Sequence, residues 1–325
     1  MQTINWGIIG VGDVCEVKSG PAFYKSSASS LISVMRRQAE KAQDFAHRHH
    51  VPHFTDNAEE LLARNDIDAV YIATPPAQHQ AYAIAALNAG KHVYIEKPVT
   101  LNANEVDAII AAEQASGKKA CVAHYRRAVP CFVEIQRLLK SGAIGRPLLV
   151  QLDMLQSQAT KLIAASEQNW RIDPAISGGS LFHDLSPHQL DLVLHWFGSV
   201  VQAQGCALNQ TQLHKADDLV VGWAQLESGV VFQGRWHFAV AENQTKDLCE
   251  IIGTHGSLRV NFFGQQVIQL TKQSGTREIH IPNPEHIQQP FIEQVNNYFR
   301  GIGDNPCSLQ EARAVMALMD CFIAA

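Results

Sequence analysis

The sequence lacks the features that would place this protein outside a cell, in a membrane or on a nucleic acid. Its seven cysteines include no Cys-x-x-Cys pair, and an odd number of cysteines over 325 residues argues against a framework of disulfide bonds. No apolar run reaches the roughly 20 residues of a membrane-spanning helix. The first residues carry neither the basic segment nor the apolar stretch of a signal peptide. We therefore expect a cytoplasmic protein whose thiols are reduced.

Charge of one sign is also scarce. The formal net charge is -5, and the lysine and arginine residues are scattered rather than gathered in runs. Neither a nucleic acid nor an anionic membrane is therefore an expected partner. Hydrophobic residues make up 46% of the chain and charged residues 18%, which is typical of a folded globular protein. The length is sufficient for two domains.

The first part of the chain alternates apolar runs with helical stretches. Strands are predicted over residues 6–10, 31–35, 69–73, 92–95 and 120–123. Helices are predicted over residues 39–49, 57–64, 77–88 and 102–116. Strands and helices that alternate at this spacing predict βαβ units and a doubly wound parallel sheet.

After residue 124, strand signals follow one another with turns between them. Strands are predicted over residues 147–155, 200–206, 219–226, 230–239, 248–252, 257–263, 267–271 and 278–281. Helices are predicted over residues 129–140, 182–196, 290–300 and 309–322. This pattern predicts a second α/β domain with an open, mostly antiparallel sheet. We place the domain boundary between residues 123 and 124, with the last helix as a candidate to pack back on the first domain.

A glycine-rich turn follows the first predicted strand. Residues 10–15 read GVGDVC, which supplies two of the three glycines of G-x-G-x-x-G and has Cys15 at the third position. Gly10 would allow a tight turn, and Gly12 would let backbone N–H groups approach a pyrophosphate at a helix N-terminus. The context predicts a dinucleotide site, although a plain strand-to-helix turn is the simpler alternative.

The end of the second strand bears on the choice of dinucleotide. A carboxylate that would hold the ribose 2′-OH of NAD is expected there, but Arg36 and Arg37 follow Met35 instead. A guanidinium group binds phosphate through paired hydrogen bonds, which favours the 2′-phosphate of NADP. We therefore predict NADP, with NAD as the other possible cofactor and solvated loop charges as the alternative for both arginines.

Two charged residues follow the fourth strand, where ligands bind in open α/β sheets. Glu96 and Lys97 come directly after the apolar run that ends at Ile95. Burial of an unpaired ammonium is costly, so a structural ion pair with Glu96 is the alternative to catalysis. Lys97 is predicted to donate a hydrogen bond to the reacting oxygen of a substrate.

Asp184 and His188 lie four residues apart and would project from one face of a helix if Pro187 falls in its first turn. Histidine suits proton transfer near neutral pH, so His188 is the predicted general acid/base. Asp184 would orient substrate hydroxyls or His188. His183 lies five residues from His188 and would point elsewhere, so no metal site is expected, and Asp191 is expected to make a structural hydrogen bond.

Four segments of the sequence together resemble the Gfo/Idh/MocA family, named after glucose-fructose oxidoreductase and inositol dehydrogenase. They are residues 10–15, 73–79, 90–98 and 178–191, which read GVGDVC, ATPPAQH, GKHVYIEKP and GGSLFHDLSPHQLD. The resemblance implies a Rossmann dinucleotide-binding domain over residues 1–123. It also implies a substrate-binding and oligomerisation domain over residues 124–325. The open sheet of that second domain would form a homodimer or homotetramer.

The activity that the resemblance implies is hydride transfer between a nicotinamide cofactor and a sugar, polyol or related small carbonyl or alcohol. Cofactor contacts are expected at Gly10, Gly12, Asp13, Val14, Arg36, Arg37, Thr74, Pro75, His79, Glu96 and Lys97. Substrate contacts are expected at Lys97, Tyr125, Trp170, Arg171, Asp184 and His188. Packing is the alternative for Trp170 and Arg171, and an interdomain salt bridge is the alternative for the arginines after Tyr125.

Two other functions stay open. Some members of the family cleave glycosidic bonds with a tightly held NAD that is recycled, and the arginines after Met35 weigh against this. A regulator that binds the cofactor without catalysis would not need Lys97, Asp184 and His188.

Overall fold

The computed structural model of the protein describes residues 3–12, 14–158, 162 and 170–324. Two units make up the chain. The first comprises Met1–Tyr125 and Pro284–Arg313, and the second comprises Arg126–Asn283 and Ala314–Ala325. The sequence suggested a single boundary after residue 123, whereas residues 284–313 belong with the first unit.

Within the described residues, the first unit contains a parallel sheet of six strands in the order β3-β2-β1-β4-β5-β6. The strands are β1 Ile4–Ile9, β2 Ser29–Met35, β3 His53–Thr55, β4 Ala69–Ile72, β5 His92–Ile95 and β6 Ala120–Val122. Sequence analysis missed β3, because this edge strand has three residues, largely exposed, and no apolar run.

Helices alternate with the strands of the first unit, as predicted, and further helices belong to the second unit. They are α1 Gly20–Lys25, α2 Ala39–Arg48, α3 Ala58–Leu62, α4 His79–Asn88, α5 Ala103–Ser116, α6 Pro130–Lys140, α7 Pro174–Ser177, α8 Leu181–Phe197, α9 Gln289–Phe299 and α10 Leu309–Ile323. Local signals set their ends. For example, the Asn102 side chain caps α5 by accepting a hydrogen bond from the Glu105 N–H, and Gly117 ends it with φ +63°.

The return of residues 284–313 completes the core of the first unit. Trp6 on β1 is fully buried, and its indole N–H donates to Asn296 Oδ1 on α9 over 3.0 Å. The Trp6 ring also lies 4.8 Å from the Phe23 ring and 5.6 Å from the Phe299 ring. A buried indole N–H requires a partner, and this one comes from near the end of the chain.

The second unit contains, among its described residues, a sheet of eight strands in the order β14-β13-β12-β11-β7-β10-β9-β8. The strands are β7 Pro147–Leu155, β8 Val200–Leu208, β9 Leu219–Leu226, β10 Val231–His237, β11 Lys246–Gly253, β12 Gly256–Val260, β13 Val267–Lys272 and β14 Gly275–His280. Neighbouring strands run antiparallel except β7 and β10, which are parallel. The predicted fold class is thereby confirmed.

The end of α10 packs on this second sheet. The Phe322 ring lies 6.1 Å from Trp236 and 6.4 Å from Phe232, both fully buried on β10. A Cβ atom added at Gly222 would come within 2.5 Å of the Phe322 ring, so the close approach requires glycine there. Within the described residues, no helix combines the length and the apolar content needed to cross a bilayer.

Candidate active site

The glycine turn follows β1 at the carboxyl edge of the first sheet. Gly10 has φ +99°, and a Cβ atom there would lie 2.8 Å from backbone atoms of Ala73 and Thr74. Only glycine fits both the conformation and the close approach. Gly12 differs, because a Cβ atom there would meet nothing within 4 Å. Its open side leaves room for a phosphate, while Asp13 lies outside the described residues.

The helical segment after this turn begins with a π-helical turn, Cys15–Ser19. Cys15 occupies the third glycine position, is fully buried, and donates its N–H to Gly12 O over 2.9 Å. Burial raises the pKa of the Cys15 thiol to about 12, so the thiol stays neutral. A neutral thiol places no negative charge beside an incoming pyrophosphate. Val14 is the residue that precedes the π-helical turn.

Arg36 follows β2 and is held against the glycine turn. Its Nη1 donates to Val11 O over 3.0 Å, and its backbone N–H donates to Thr55 O over 3.2 Å. The guanidinium group is planar and has further donors available for a phosphate. Arg37 is exposed.

Two segments that follow β4 and β5 are tied together by His79. The imidazole is 1% exposed, with Nε2 2.7 Å from Thr74 O and Nδ1 3.0 Å from Pro98 O. Burial lowers the pKa of His79, which favours the neutral ring, and a neutral ring donates its one N–H to either the Thr74 or the Pro98 carbonyl oxygen. His79 thus braces the backbone around Thr74 and Pro75, whereas the sequence suggested contact with the cofactor.

The Thr74 hydroxyl provides a second test of whether these residues fit a dinucleotide. Among the described residues, the buried Thr74 Oγ1 has no hydrogen-bond partner. A buried hydroxyl group normally has one, so this atom suits a ligand. Together with the open side of Gly12 and the position of Arg36, it fits a dinucleotide at the carboxyl ends of β1, β2 and β4.

Glu96 follows β5 and is 7% exposed. Its Oε1 accepts hydrogen bonds from the Tyr71 hydroxyl over 2.5 Å and from Gln288 Nε2 over 2.8 Å. Its Oε2 accepts the backbone N–H of Lys97 over 3.1 Å. Three donors therefore stabilise the buried carboxylate and fix the start of Lys97. The Lys97–Pro98 peptide bond is cis.

In the second unit, α8 carries Asp184 and His188. The helix begins after Ser180, whose hydroxyl accepts the Phe182 N–H, while His183 Nδ1 accepts the Ser180 N–H over 3.3 Å. This capping box starts α8 one residue earlier than predicted. The prediction that Pro187 lies in the first turn is wrong, because it lies inside the helix, where its missing N–H leaves the His183 carbonyl without a helical donor.

Asp184 is partly exposed and pairs with Arg171. Arg171 Nε donates to Asp184 Oδ2 over 3.1 Å, and its guanidinium lies 4.4 Å from the centre of the Trp170 ring. The Arg171 side chain is 8% exposed, so the contact is well shielded from solvent. The contact in the structure orients Asp184, and substrate binding by Arg171 stays a prediction.

His188 is 4% exposed, and its ring lies 5.9 Å from the Phe263 ring in an edge contact. Asp191, three residues on, accepts hydrogen bonds from Nε and Nη2 of Arg127, the shortest over 2.7 Å. Both residues of this pair belong to the second unit. The structural role expected for Asp191 fits this contact. Tyr125 is buried.

His183 gives a testable dependence of stability on pH. Burial lowers the pKa of His183 from 6.5 to about 4, so the unfolded state binds a proton that the folded state refuses between these values. Stability from the neutral ring is complete above pH 6.5 and is lost as the pH falls towards 4. The loss should reach about 3 kcal/mol in the free energy of unfolding at pH 4.

The matched variant is His183→Gln, since glutamine at this position can also close the capping box but does not titrate. Urea unfolding at pH 7.5 and pH 4 should show that wild type loses about 3 kcal/mol more than the variant. Equal losses for the two proteins would contradict the assignment of His183 as a buried neutral histidine.

Several residues at this site escaped sequence analysis. Tyr71 lies within an apolar strand and reads as core, yet its hydroxyl reaches Glu96. Gln288 lies 192 residues from Glu96, and nothing in its neighbours signals the contact. Phe263 gives no signal beyond strand propensity. A polar atom inside an apolar strand, as in Tyr71, is the one sign that could have prompted a search for a partner.

Comparison with known proteins finds relatives that match both units. Residues 4–124 match the model of an oxidoreductase family with an NAD-binding Rossmann fold, and residues 132–259 match the GFO/IDH/MocA C-terminal domain. The chain is 46% identical over 319 residues to Oxidoreductase P35 of Formosa agariphila, covering 98% of each chain. It is 26% identical over 296 residues to the 1,5-anhydro-D-fructose reductase of Ensifer adhaerens, covering 90% of this chain and 84% of that protein.

A solved structure shares the fold. Levoglucosan dehydrogenase in complex with NADH and L-sorbose matches with a TM-score of 0.84 at 21% identity, covering 98% of this chain and 96% of that one. The two family models and the relative at 46% identity span both units. The resemblance found in the sequence is thus confirmed, and the chain belongs to the Gfo/Idh/MocA family of oxidoreductases.

Proposed function

We propose that the protein transfers a hydride between NADP and a sugar, polyol or related small carbonyl or alcohol. The observation that carries this proposal is the arrangement around Glu96. Both carboxylate oxygens accept hydrogen bonds, from Tyr71, Gln288 and the Lys97 backbone, at the carboxyl end of β5. Three donors hold this buried carboxylate in one position, and they thereby fix the backbone of the next residue, Lys97.

The residues divide the work of carbonyl–alcohol interconversion. The nicotinamide, when bound, supplies or accepts the hydride. Lys97 donates a hydrogen bond to the reacting oxygen and stabilises the negative charge that develops there. His188 gives or takes the proton at a ring nitrogen. Asp184, oriented by Arg171, accepts a hydrogen bond from a substrate hydroxyl.

The names of similar proteins support the class of substrate. One relative is a reductase of 1,5-anhydro-D-fructose, and one structural neighbour is a levoglucosan dehydrogenase with L-sorbose bound. Both names point to sugar-like compounds with carbonyl or hydroxyl groups, and we extend that class to this chain. The substrate itself is to be found by screening sugars, keto-sugars and dicarbonyls.

Arg36 carries the choice of NADP. Its bond to Val11 O holds the guanidinium at the end of β2, where a 2′-phosphate of the adenosine ribose would lie. We expect NADPH to bind at least about tenfold more tightly than NADH, since a charge-assisted pair with phosphate contributes about 1.5–3 kcal/mol. Titration of the protein fluorescence with each nucleotide measures both Kd values.

The Arg36→Ala variant should weaken NADPH binding by about tenfold or more and change NADH binding by less than about threefold. Arg64→Ala is the control, because Arg64 pairs with Asp66 on the surface of the same unit. Tighter binding of NADH to the wild type would overturn the preference for NADP. Glycoside cleavage without net reduction of the dinucleotide would instead favour the cofactor-recycling hydrolase.

We also propose that copies of the chain associate through the outward face of the second sheet. Apolar residues occupy outward positions of β8, β9 and β10, including Leu208 at 47% and Val231 at 37% exposure, with Val221 and Trp223 partly exposed. Contiguous apolar residues on a sheet face are typical of a protein interface. Light scattering should give the mass of a dimer or tetramer for the wild type, and of a monomer for Trp223→Glu. A monomeric wild type would contradict the proposal.

A further inference from the structure

A network of hydrogen-bonded side chains runs through the interior of the first unit. Its centre is Tyr71 on β4, which is fully buried and donates to Glu96 Oε1 over 2.5 Å. Burial first, and then the charge of Glu96, raise the pKa of Tyr71 well above 10. The phenol therefore keeps its proton and remains a donor to the carboxylate.

One end of this network reaches the glycine turn. The Ser19 hydroxyl is fully buried and lies 3.2 Å from the Tyr71 hydroxyl oxygen and 3.3 Å from Val14 O. The serine has one proton for these two acceptors, because Tyr71 gives its own to Glu96. The π-helical turn Cys15–Ser19 brings this hydroxyl within reach, and such turns occur frequently at functional sites.

The other end of this network is the backbone N–H of Lys97. Glu96 Oε2 accepts the Lys97 N–H over 3.1 Å, while Gln288 holds Oε1 from the other side over 2.8 Å. A carboxylate whose two oxygens both accept hydrogen bonds is held in one orientation. Loss of the Tyr71 hydroxyl should therefore weaken the hydrogen bond from the Lys97 N–H to Glu96.

We propose that Ser19, Tyr71 and Glu96 are positioning residues that couple occupancy of the glycine turn to the placement of Lys97. A dinucleotide phosphate at Gly10 and Gly12 would shift the nearby backbone at Val14 and so change which acceptor the Ser19 proton takes. That choice alters the hydrogen bonding of Tyr71 and hence the hold of Glu96 on Lys97. The role of Lys97 in turnover rests on the proposed function, whereas the coupling itself does not.

The test measures amide hydrogen exchange in the peptide that contains residues 96–98. Pro98 has no N–H, so exchange there reports chiefly on Lys97. In Tyr71→Phe, without any nucleotide, we expect exchange of the Lys97 N–H to accelerate by about tenfold, since one charge-assisted bond on its acceptor is gone. In the wild type, NADPH should slow this exchange by about tenfold, and in Ser19→Ala it should not.

Tyr94→Phe is the matched control. Tyr94 is equally buried and stacks on Tyr71 at 5.1 Å, but its hydroxyl donates to Gln288 Oε1 over 3.4 Å rather than to Glu96. Exchange of the Lys97 N–H in Tyr94→Phe should stay within about twofold of wild type, because the lost hydrogen bond is neutral and weak at that distance. Turnover adds a second readout, with kcat of Tyr71→Phe about tenfold lower and KM unchanged.

The outcomes separate the two proposals. Exchange in Tyr71→Phe equal to that in Tyr94→Phe, with kcat retained, would show that Tyr71 serves packing alone. Ser19→Ala, which removes one oxygen atom, tests the coupling even if Tyr71→Phe does not fold. If the wild type neither binds NADPH nor turns over any carbonyl, the proposed function fails, and the exchange of the nucleotide-free proteins still decides the positioning role.

Discussion

Lys97→Met is expected to lower kcat by about 100- to 1,000-fold while the Kd of NADPH stays within about threefold of wild type. Methionine keeps the aliphatic stem and its packing but removes the ammonium donor. The lost interaction is one that strengthens as charge develops on the substrate oxygen, so the loss should fall on kcat rather than on KM. Steady-state kinetics and fluorescence titration of the same preparation measure both quantities.

Lys140→Met is the control for this change, because Lys140 is the exposed last residue of α6 and has no assigned role. It should retain the kcat and KM of the wild type. If Lys97→Met turned over substrate at the wild-type rate, Lys97 would not be the donor to the reacting oxygen.

His188→Asn is expected to reduce kcat by about 100-fold or more and to remove one limb of the dependence of kcat on pH. Asparagine preserves a polar side chain on α8 but cannot exchange a proton near neutral pH. Loss of the edge contact of His188 with Phe263 should lower the free energy of unfolding by about 0.5–1.5 kcal/mol, which leaves the protein folded. The measurement is kcat across the pH range, with the melting temperature as a check on folding.

His47→Asn is the matched substitution, since His47 is an exposed histidine on α2. Its pH profile should superimpose on that of the wild type. A profile for His188→Asn that keeps both limbs, however low the rate, would assign the proton transfer to another group.

The sequence predicts the carboxyl edge of the first sheet well because each polar residue there follows a buried apolar strand. Gly10, Arg36, Thr74 and Glu96 come directly after or near the ends of β1, β2, β4 and β5, and parallel strands bring those ends to one edge. This part of the candidate site needs only local signals.

Other parts of the site depend on contacts that local signals do not encode. Gln288 reaches Glu96 across 192 residues, and no periodicity in the chain specifies that pairing. The start of α8 depends on a capping box closed by His183 rather than by the usual Glu or Gln, and Pro187 lies inside the helix rather than in its first turn. Arg127 pairs with Asp191, which lies 64 residues further on, and Arg171 pairs with Asp184, which lies 13 residues further on.

The return of residues 284–313 to the first unit sets an order of events during synthesis on the ribosome. The Trp6 indole lacks its hydrogen-bond acceptor until Asn296 is made 290 residues later, and Glu96 lacks one of its donors until Gln288 is made. Phe322 completes the second unit later still. Domains that are continuous in the chain close as they emerge from the ribosome, N-terminal first. Here, emergence of residue 125 leaves an open nucleotide-binding core, and the two units can close only after residues 284–322 have been made.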